Sequence, residues 1–542
     1  MLKITANLWS LALFAAVACT AAFVNADTPA GAESHLFHNE DCTNFFYAEY
    51  DPRDPHGGAA VDAYVDRVAA GGVTAFLCNT NAERTNYASD VWEPLWTGYD
   101  PDGPDDQPYL AGIGNSDNTD VTSWRRLVDG MLALHRQRID YPARVIARCR
   151  HHGIEPWISL RMNDVHCQDL ERHPIHSDFW RNNPQLRRQG YDGNYSRALD
   201  YGRSEVRDHY MKLIDETLDR YDIDGLELDF MREPYLFSRG KEDEGRAILT
   251  AWLAEVRERT RKAAARRGHQ IRLGIRTPSR PEVSLQFGLD PVEWARRGLV
   301  DLIVVSPRWA TTEFAMPIRK WQRLLDGTGV VLLGGLEVLV RPYRAADQRG
   351  VAPEEAIGAA SQVLHDGADG VYLFNYFPNG SATGNVSGWW SNDVYRQSLR
   401  AMAAPSELVK QPRRHVVTFS DVNHPDGDEG WGKAGKTQLP AVGPDVVLTL
   451  PTGPRAPGDW QAELTLRLES SPAKPPAVRV NGSAAAVSVS SADPRGEPAG
   501  IRYTVPVTAL RDDAANEITA TSADGMPLRV VWTDIRVSPS AR

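Results

Sequence analysis

The stretch Asp224-Gly225-Leu226-Glu227-Leu228-Asp229-Phe230-Met231-Arg232-Glu233-Pro234 alternates apolar and polar side chains with the period of two that a β-strand imposes. Leu226, Leu228 and Phe230 share one face. Glu227 and Asp229 share the other, roughly 6–7 Å apart along the strand. Two like charges that close are costly to bury unless cations or hydrogen bonds compensate them, or one carboxyl keeps its proton. A strand with a purely structural duty rarely carries such a pair. Cleavage of a glycosidic bond uses one, because an acid must protonate the leaving oxygen while a carboxylate acts on the sugar or on water. The other reading is an inner pair locked by arginines for structure alone.

Working outward, further strand patterns fall at 44–50 (the expected first strand), 73–80, 154–163, 271–276, 301–308, 330–338 and 370–377. Helical patterns lie between them, several opening on proline in the first turn or ending at glycine (Gly71, Gly153, Gly268, Gly298, Gly367). Strands alternating with helices predict parallel β/α units, and eight of them predict a (β/α)8 TIM barrel. A doubly wound open sheet competes, but no glycine-rich phosphate loop follows the first strand. Two insertions leave strand ends. One, 83–140, carries Trp92, Trp96, Tyr99 and Trp124; the other, 165–203, carries His166, His173, His176, Trp180 and Tyr195. Both are expected on the catalytic face, as binding walls or as self-packed loops.

Alternation places polar residues at the carboxyl ends of the barrel strands, where such barrels build their sites. The catalytic candidates are Asp229 and Glu227 on strand four, with Glu337 ending strand seven. Asp229 is expected as nucleophile or base and Glu337 as general acid, with the roles open to exchange. Expected substrate-binding residues are Asn79, Arg161, Asn163, His166, Arg232, Arg276, Arg308, Trp309, Asn375 and Tyr376. The arginines, joined by Arg341, suit an anionic sugar, uronic or sulfated, or else simply neutralise the carboxylates. No metal and no cofactor is expected. The His166, His173, His176 set lies in a loop insertion, no His-x-His opens the expected first strand, and no nucleophile elbow is present.

The DGxExDF strand within this β/α pattern resembles the glycoside-hydrolase-like TIM-barrel proteins, a secreted bacterial, family-10-like group, over about residues 37–400. The resemblance implies a glycan-directed barrel whose strand-four acids, Glu227 and Asp229, matter. The chain departs from the chitinase-type motif, placing Met231 where its final Glu would stand. The expected function is therefore hydrolysis of a poly- or oligosaccharide by two carboxylates. A non-catalytic carbohydrate-binding protein using the same cleft is the alternative.

With 542 residues, 42% hydrophobic and 24% charged, the chain has room for two or three globular domains. A net charge of −11 leaves no basic footprint for nucleic acid. Residues 1–26 read as a signal peptide, with Lys3, an apolar run over 8–18 and a small-residue cleavage site at Val24-Asn25-Ala26. Export, periplasmic or extracellular, is expected; lipid anchoring at Cys19 is a second reading. No other apolar run approaches the length of a membrane span. Cys42, Cys78, Cys149 and Cys167 match no zinc spacing. The barrel is expected over 27–403, then a linker over 404–414. Short strands punctuated by Gly, Pro, Asn and Asp predict a β-sandwich over 415–542, accessory to catalysis. Oligomeric state is not legible.

Overall fold

The computed structural model describes residues 34–41, 44–114, 120–192, 194–378, 390–422, 437–488 and 500–540. The expected signal peptide, Cys19, Cys42 and the side chain of Tyr195 lie outside the described residues.

Eight parallel strands close into a barrel: β1 His35–Glu40, β2 Ala75–Asn79, β3 Glu155–Arg161, β4 Gly225–Asp229, β5 Arg272–Pro278, β6 Leu302–Ser306, β7 Val331–Leu336 and β8 Gly370–Phe374. Each strand divides its residues between two cores. Leu226 and Leu228 of β4, with Ile158, Leu160, Leu273, Ile275, Ile303 and Val305, pack outward under the helices. Phe37, Ala75, Leu77, Trp157, Leu302, Val304, Leu333, Tyr372 and Phe374 fill the interior. Gly225 is glycine because of this filling: a Cβ there would meet the Trp157 ring at 2.2 Å. Above that floor the register sets Ser159, Glu227 and Gly274 side by side, then Arg161, Asp229 and Arg276. The barrel interior thus changes from apolar to charged toward its carboxyl end.

The expected first strand at 44–50 is wrong. Phe45–Glu49 is a short π-helical turn, and the strand is His35–Glu40. Phe45 and Phe46 pack against each other and against Tyr141, while Phe45 also packs on Tyr50 and Tyr64, an aromatic knot under the helices. In β1, Phe37 faces inward, and Glu40 takes hydroxyl bonds from Tyr64 (3.0 Å) and Tyr141 (3.2 Å). Two partner hydroxyls let Glu40 sit buried at the end of β1.

The two insertions pack on each other and on the helix Ser204–Arg220. Trp92 and Trp124 are buried; Trp92 stacks on His209 at 4.2 Å, and Trp124 sits edge-on to His173. His176 bonds Glu83 (2.9 Å) and stacks on Trp180 (4.1 Å). Cys78 and Cys149 are buried, and Cys149 and Cys167 are free thiols.

Beyond the barrel, antiparallel strands form the second layer structure. Their order is Arg413–Val416, Leu528–Pro539, Trp460–Leu468, Ile501–Val505, Ser483–Ser488, Ala477–Val480, Asn516–Thr521 and Asp445–Leu450, with Ala441–Gly443 pairing on Leu528–Pro539. Burial alternates strictly along Asp445–Leu450 and Ala477–Val480, as it must when one face of a sandwich sheet is covered. Its first strand, Arg413–Val416, lies against the barrel helix Pro353–His365, so residues 413 and 414 belong to a strand. Gly358 allows that approach, since a Cβ there would stand 2.1 Å from the carbonyl oxygen of Arg414. Gly358→Ala should cost roughly 1–3 kcal/mol, the usual range for overpacking a well-packed contact. An unaltered melting temperature would mean the helix is not held against the strand.

Candidate functional site

Asp229 ends β4 at the carboxyl mouth. Its Oδ1 accepts two N–H bonds, from Arg276 Nε and from the backbone of Arg232, both at 2.9 Å. Arg276 enters from β5, fully buried, its guanidinium lying over the Phe374 ring at 3.9 Å. Burial opposes its charge, but Asp229 and other neighbouring anions hold it protonated, so its pKa lies above the ordinary arginine value. From β7, Glu337 reaches the same guanidinium: Arg276 Nη1 is 3.9 Å from its Oε1. One arginine therefore stands between two carboxyl groups.

These two carboxyl groups differ. Neither oxygen of Glu337 has a hydrogen-bond partner among the described residues, and the side chain is 1% exposed. Burial, only partly offset by Arg276, drives its pKa well above the usual carboxylate range. Asp229, in contrast, is paired as a carboxylate should be. Glu227 lies one layer deeper. Its Oε2 accepts from Ser159 Oγ (2.6 Å), Tyr372 Oη (2.9 Å) and Asn39 Nδ2 (3.1 Å), while Oε1 has no partner among the described residues. Burial, then the charge of Asp229 above it, pushes this carboxyl up to about 7.

The arginines are mostly engaged within the protein. Arg161 bonds Asp41 (2.5 Å) and Asp164 (3.0 Å), and Arg308 clasps Glu233 through bonds of 2.6, 2.7 and 3.1 Å. Burial resists ionisation of Asp164, yet His166 and Arg161 overcome it and lower its pKa well below the usual range. Arg341 turns into its own loop, bonding Arg344 and Gln348. Arg232 differs: among the described residues no carboxylate pairs with its guanidinium. It meets His166 Nε2 at 2.9 Å and lies 5.9 Å from the rings of Trp309 and Phe374. His166, Arg232 and Trp309 are the partly buried members of this group. Asn375, in left-handed backbone (φ 59°), follows β8 with its Oδ1 buried and without a hydrogen-bond partner among the described residues.

Three expected binding residues are occupied elsewhere. The amide of Asn163 donates to the carbonyls of Leu199 and Tyr235, fastening the insertion. The Tyr376 hydroxyl donates to the main chain of Glu337 at 3.1 Å and so positions that residue. Asn79 donates to the Ser159 carbonyl at 3.1 Å inside the barrel. Other residues at the site were missed. Asn39 and Asp41 follow from the true first strand, and their alternation with Phe37 was the available signal. Asp421 comes from the second domain. It accepts from the backbone N–H groups of Arg308 (3.0 and 3.1 Å), Trp309 (2.8 Å) and Ala310 (2.9 Å). That contact ties the second domain to the loop after β6. Among the described residues no group of three His, Cys, Asp or Glu side chains is placed to hold a metal ion, and no helix is long and apolar enough to cross a membrane.

No family model and no curated protein matches the chain. Solved structures that align with it include α-L-fucosidase isoenzyme 1 from Paenibacillus thiaminolyticus, at 14% identity over 90% of this chain and 96% of that one, with a TM-score of 0.33. A putative α-L-fucosidase from Bacteroides thetaiotaomicron aligns at 12% identity, over 93% and 90% of the two chains, with a TM-score of 0.32. A cycloisomaltooligosaccharide glucanotransferase from Paenibacillus sp. aligns at 9% identity, over 94% and 57%, with a TM-score of 0.33. Likeness this slight transfers no activity and no residue role.

Proposed function

We propose that the chain is a glycoside hydrolase in which Glu337 is the general acid and Asp229 the nucleophile or base. The observation that carries this reading is the arrangement at the barrel mouth: one carboxyl paired with a guanidinium and a backbone N–H, the other buried with no hydrogen-bond partner among the described residues, both facing Arg276. An acid kept protonated by burial beside a carboxylate held by N–H donors is the pairing that acid/base cleavage needs. Glu337 delivers its proton to the glycosidic oxygen as the C–O bond breaks. Asp229 attacks the anomeric carbon directly or draws a proton from the attacking water. Arg276 offsets the negative charge that appears on Glu337. Glu227, beneath Asp229, tunes that charge from below.

Polar atoms of Arg276, Glu337, Asn375 and Arg232 that have no partner among the described residues belong to residues of the same mouth. A buried donor or acceptor left unpaired costs about 1–3 kcal/mol, and a ligand dense in hydroxyl groups answers several at once. Trp309 offers a partly exposed aromatic face beside them. These features favour a poly- or oligosaccharide as substrate. Recognition of a uronic or sulfated sugar would fall chiefly to Arg232, since Arg161, Arg276 and Arg308 have acidic partners. Membership of the family-10-like group and export after the cleavage site at Val24-Asn25-Ala26 are parts of the same proposal.

The test is a panel of neutral, uronic and sulfated glycans, with aryl glycosides, read by reducing ends or released phenol. No turnover anywhere on the panel would end the hydrolase reading. Should an anionic glycan be the substrate, its KM is expected to rise between low salt and about 0.5 M, because partly exposed charge recognition is screened. A KM indifferent to salt would remove Arg232 from substrate recognition.

A further inference from the structure

We infer that Asp421, delivered by the second domain, is a positioning residue of the barrel site, and that the barrel without it is incomplete. This rests on Glu337 being the acid proposed above. Asp421 is 2% exposed and sits in a strap, residues 417–422, that leaves the sandwich strand Arg413–Val416 and crosses the loop after β6. The strap is fastened to both domains. Val417 N–H donates to Thr533 of the sandwich at 3.0 Å. Thr418 Oγ1 donates to the Thr312 carbonyl at 2.9 Å, and Thr312 Oγ1 in turn donates to the main chain of Glu337.

Three successive backbone N–H groups converging on one carboxylate form a fixed cradle, and charge-assisted bonds of this kind are about twice as strong as neutral ones. The cradle is the segment from which Arg308 reaches Glu233 and from which Trp309 faces Arg232. Losing Asp421 therefore frees both the ion pair and the aromatic face. The charged groups facing Glu337 are Arg276 from β5, Asp229 and Arg232 from β4 and its following loop, and Asp421 from the strap. Of these, Asp421 lies outside the barrel domain, and its negative charge favours the protonated form that a general acid requires.

The experiment is a carboxyl-carbon NMR titration of the full chain labelled at glutamate, with Glu337→Gln supplying the assignment. In Asp421→Asn the Glu337 midpoint should fall, because a neighbouring negative charge is removed. Asp421→Glu should return it toward the wild-type value. On a substrate found by the panel, Asp421→Asn should lower kcat on the order of 10²-fold, with its alkaline limb moved to lower pH, because a small misplacement of catalytic groups is that costly. An unmoved Glu337 midpoint in folded Asp421→Asn overturns the inference. If neither variant folds, amide exchange in the wild type decides. Slow exchange at Arg308, Trp309 and Ala310 supports the cradle, and free-loop rates overturn it. Titration and exchange need no substrate, so failure of the hydrolase reading and failure of this one are separable.

Discussion

Asp229→Asn should lower turnover by about 10⁴-fold or more, while Glu337→Gln should lower it by about 10²–10⁴-fold and only on substrates with poor leaving groups. The asymmetry follows from what each group touches. Asparagine cannot attack the anomeric carbon or deprotonate water, so every substrate suffers equally. Glutamine cannot deliver a proton, but a nitrophenolate leaving group needs none, and such aryl glycosides should recover most of their rate in Glu337→Gln. The two variants should part in stability as well. Asp229→Asn leaves the guanidinium of Arg276 buried with its nearest anion gone, a change that typically costs about 3–5 kcal/mol. Glu337→Gln breaks no hydrogen bond and should leave the melting temperature close to wild type. Full turnover by a folded Asp229→Asn would remove Asp229 from the chemistry. An equal loss on natural and aryl substrates in Glu337→Gln would remove Glu337 as acid.

The fold was legible where one strand had one duty per face. Gly225–Asp229 alternates because its outer side chains meet helices and its inner ones meet the charged mouth, and the sequence shows that alternation directly. β1 was hidden by its polar content, two histidines, an asparagine and a glutamate, because the hydroxyls of Tyr64 and Tyr141 that make Glu40 tolerable lie 24 and 101 residues away. Phe45, Phe46 and Tyr50 imitate a strand when counted for hydrophobicity alone. At the site, strand-end position located Asp229, Arg276, Glu337 and Arg308 but could not tell what each would bond. Asn163 stands at a strand end and faces two loop carbonyls; a position rule carries no information about the loop that returns to it. Asp421 was illegible for a stronger reason. Its partner segment lies 111–113 residues earlier in the chain, and nothing local to 421 marks it as part of the mouth.

Stability should fall with pH in the wild type relative to Glu227→Gln, by roughly 3 kcal/mol between pH 4 and pH 8. The sign comes from the direction of the shift. Burial, then the charge of Asp229, raises the Glu227 carboxyl from its ordinary value to about 7 in the folded protein, whereas the unfolded chain has neither influence. The folded state holds this proton more tightly than the unfolded state. Its contribution is therefore fully present below the unfolded pKa and is lost as pH rises through about 7. Glutamine is nearly isosteric, its oxygen can accept from Ser159, Tyr372 and Asn39, and it does not titrate. Chemical unfolding of both proteins across that pH range gives the difference directly. Glu337 titrates in both chains and cancels in the comparison, as does any other common group. Because the Asp229 charge is the second cause of the shift, the pH-dependent difference should shrink when Glu227→Gln is measured in an Asp229→Asn background. A difference that stays constant from pH 4 to 8 would mean that Glu227 remains ionised in the folded barrel, satisfied by its three donors alone.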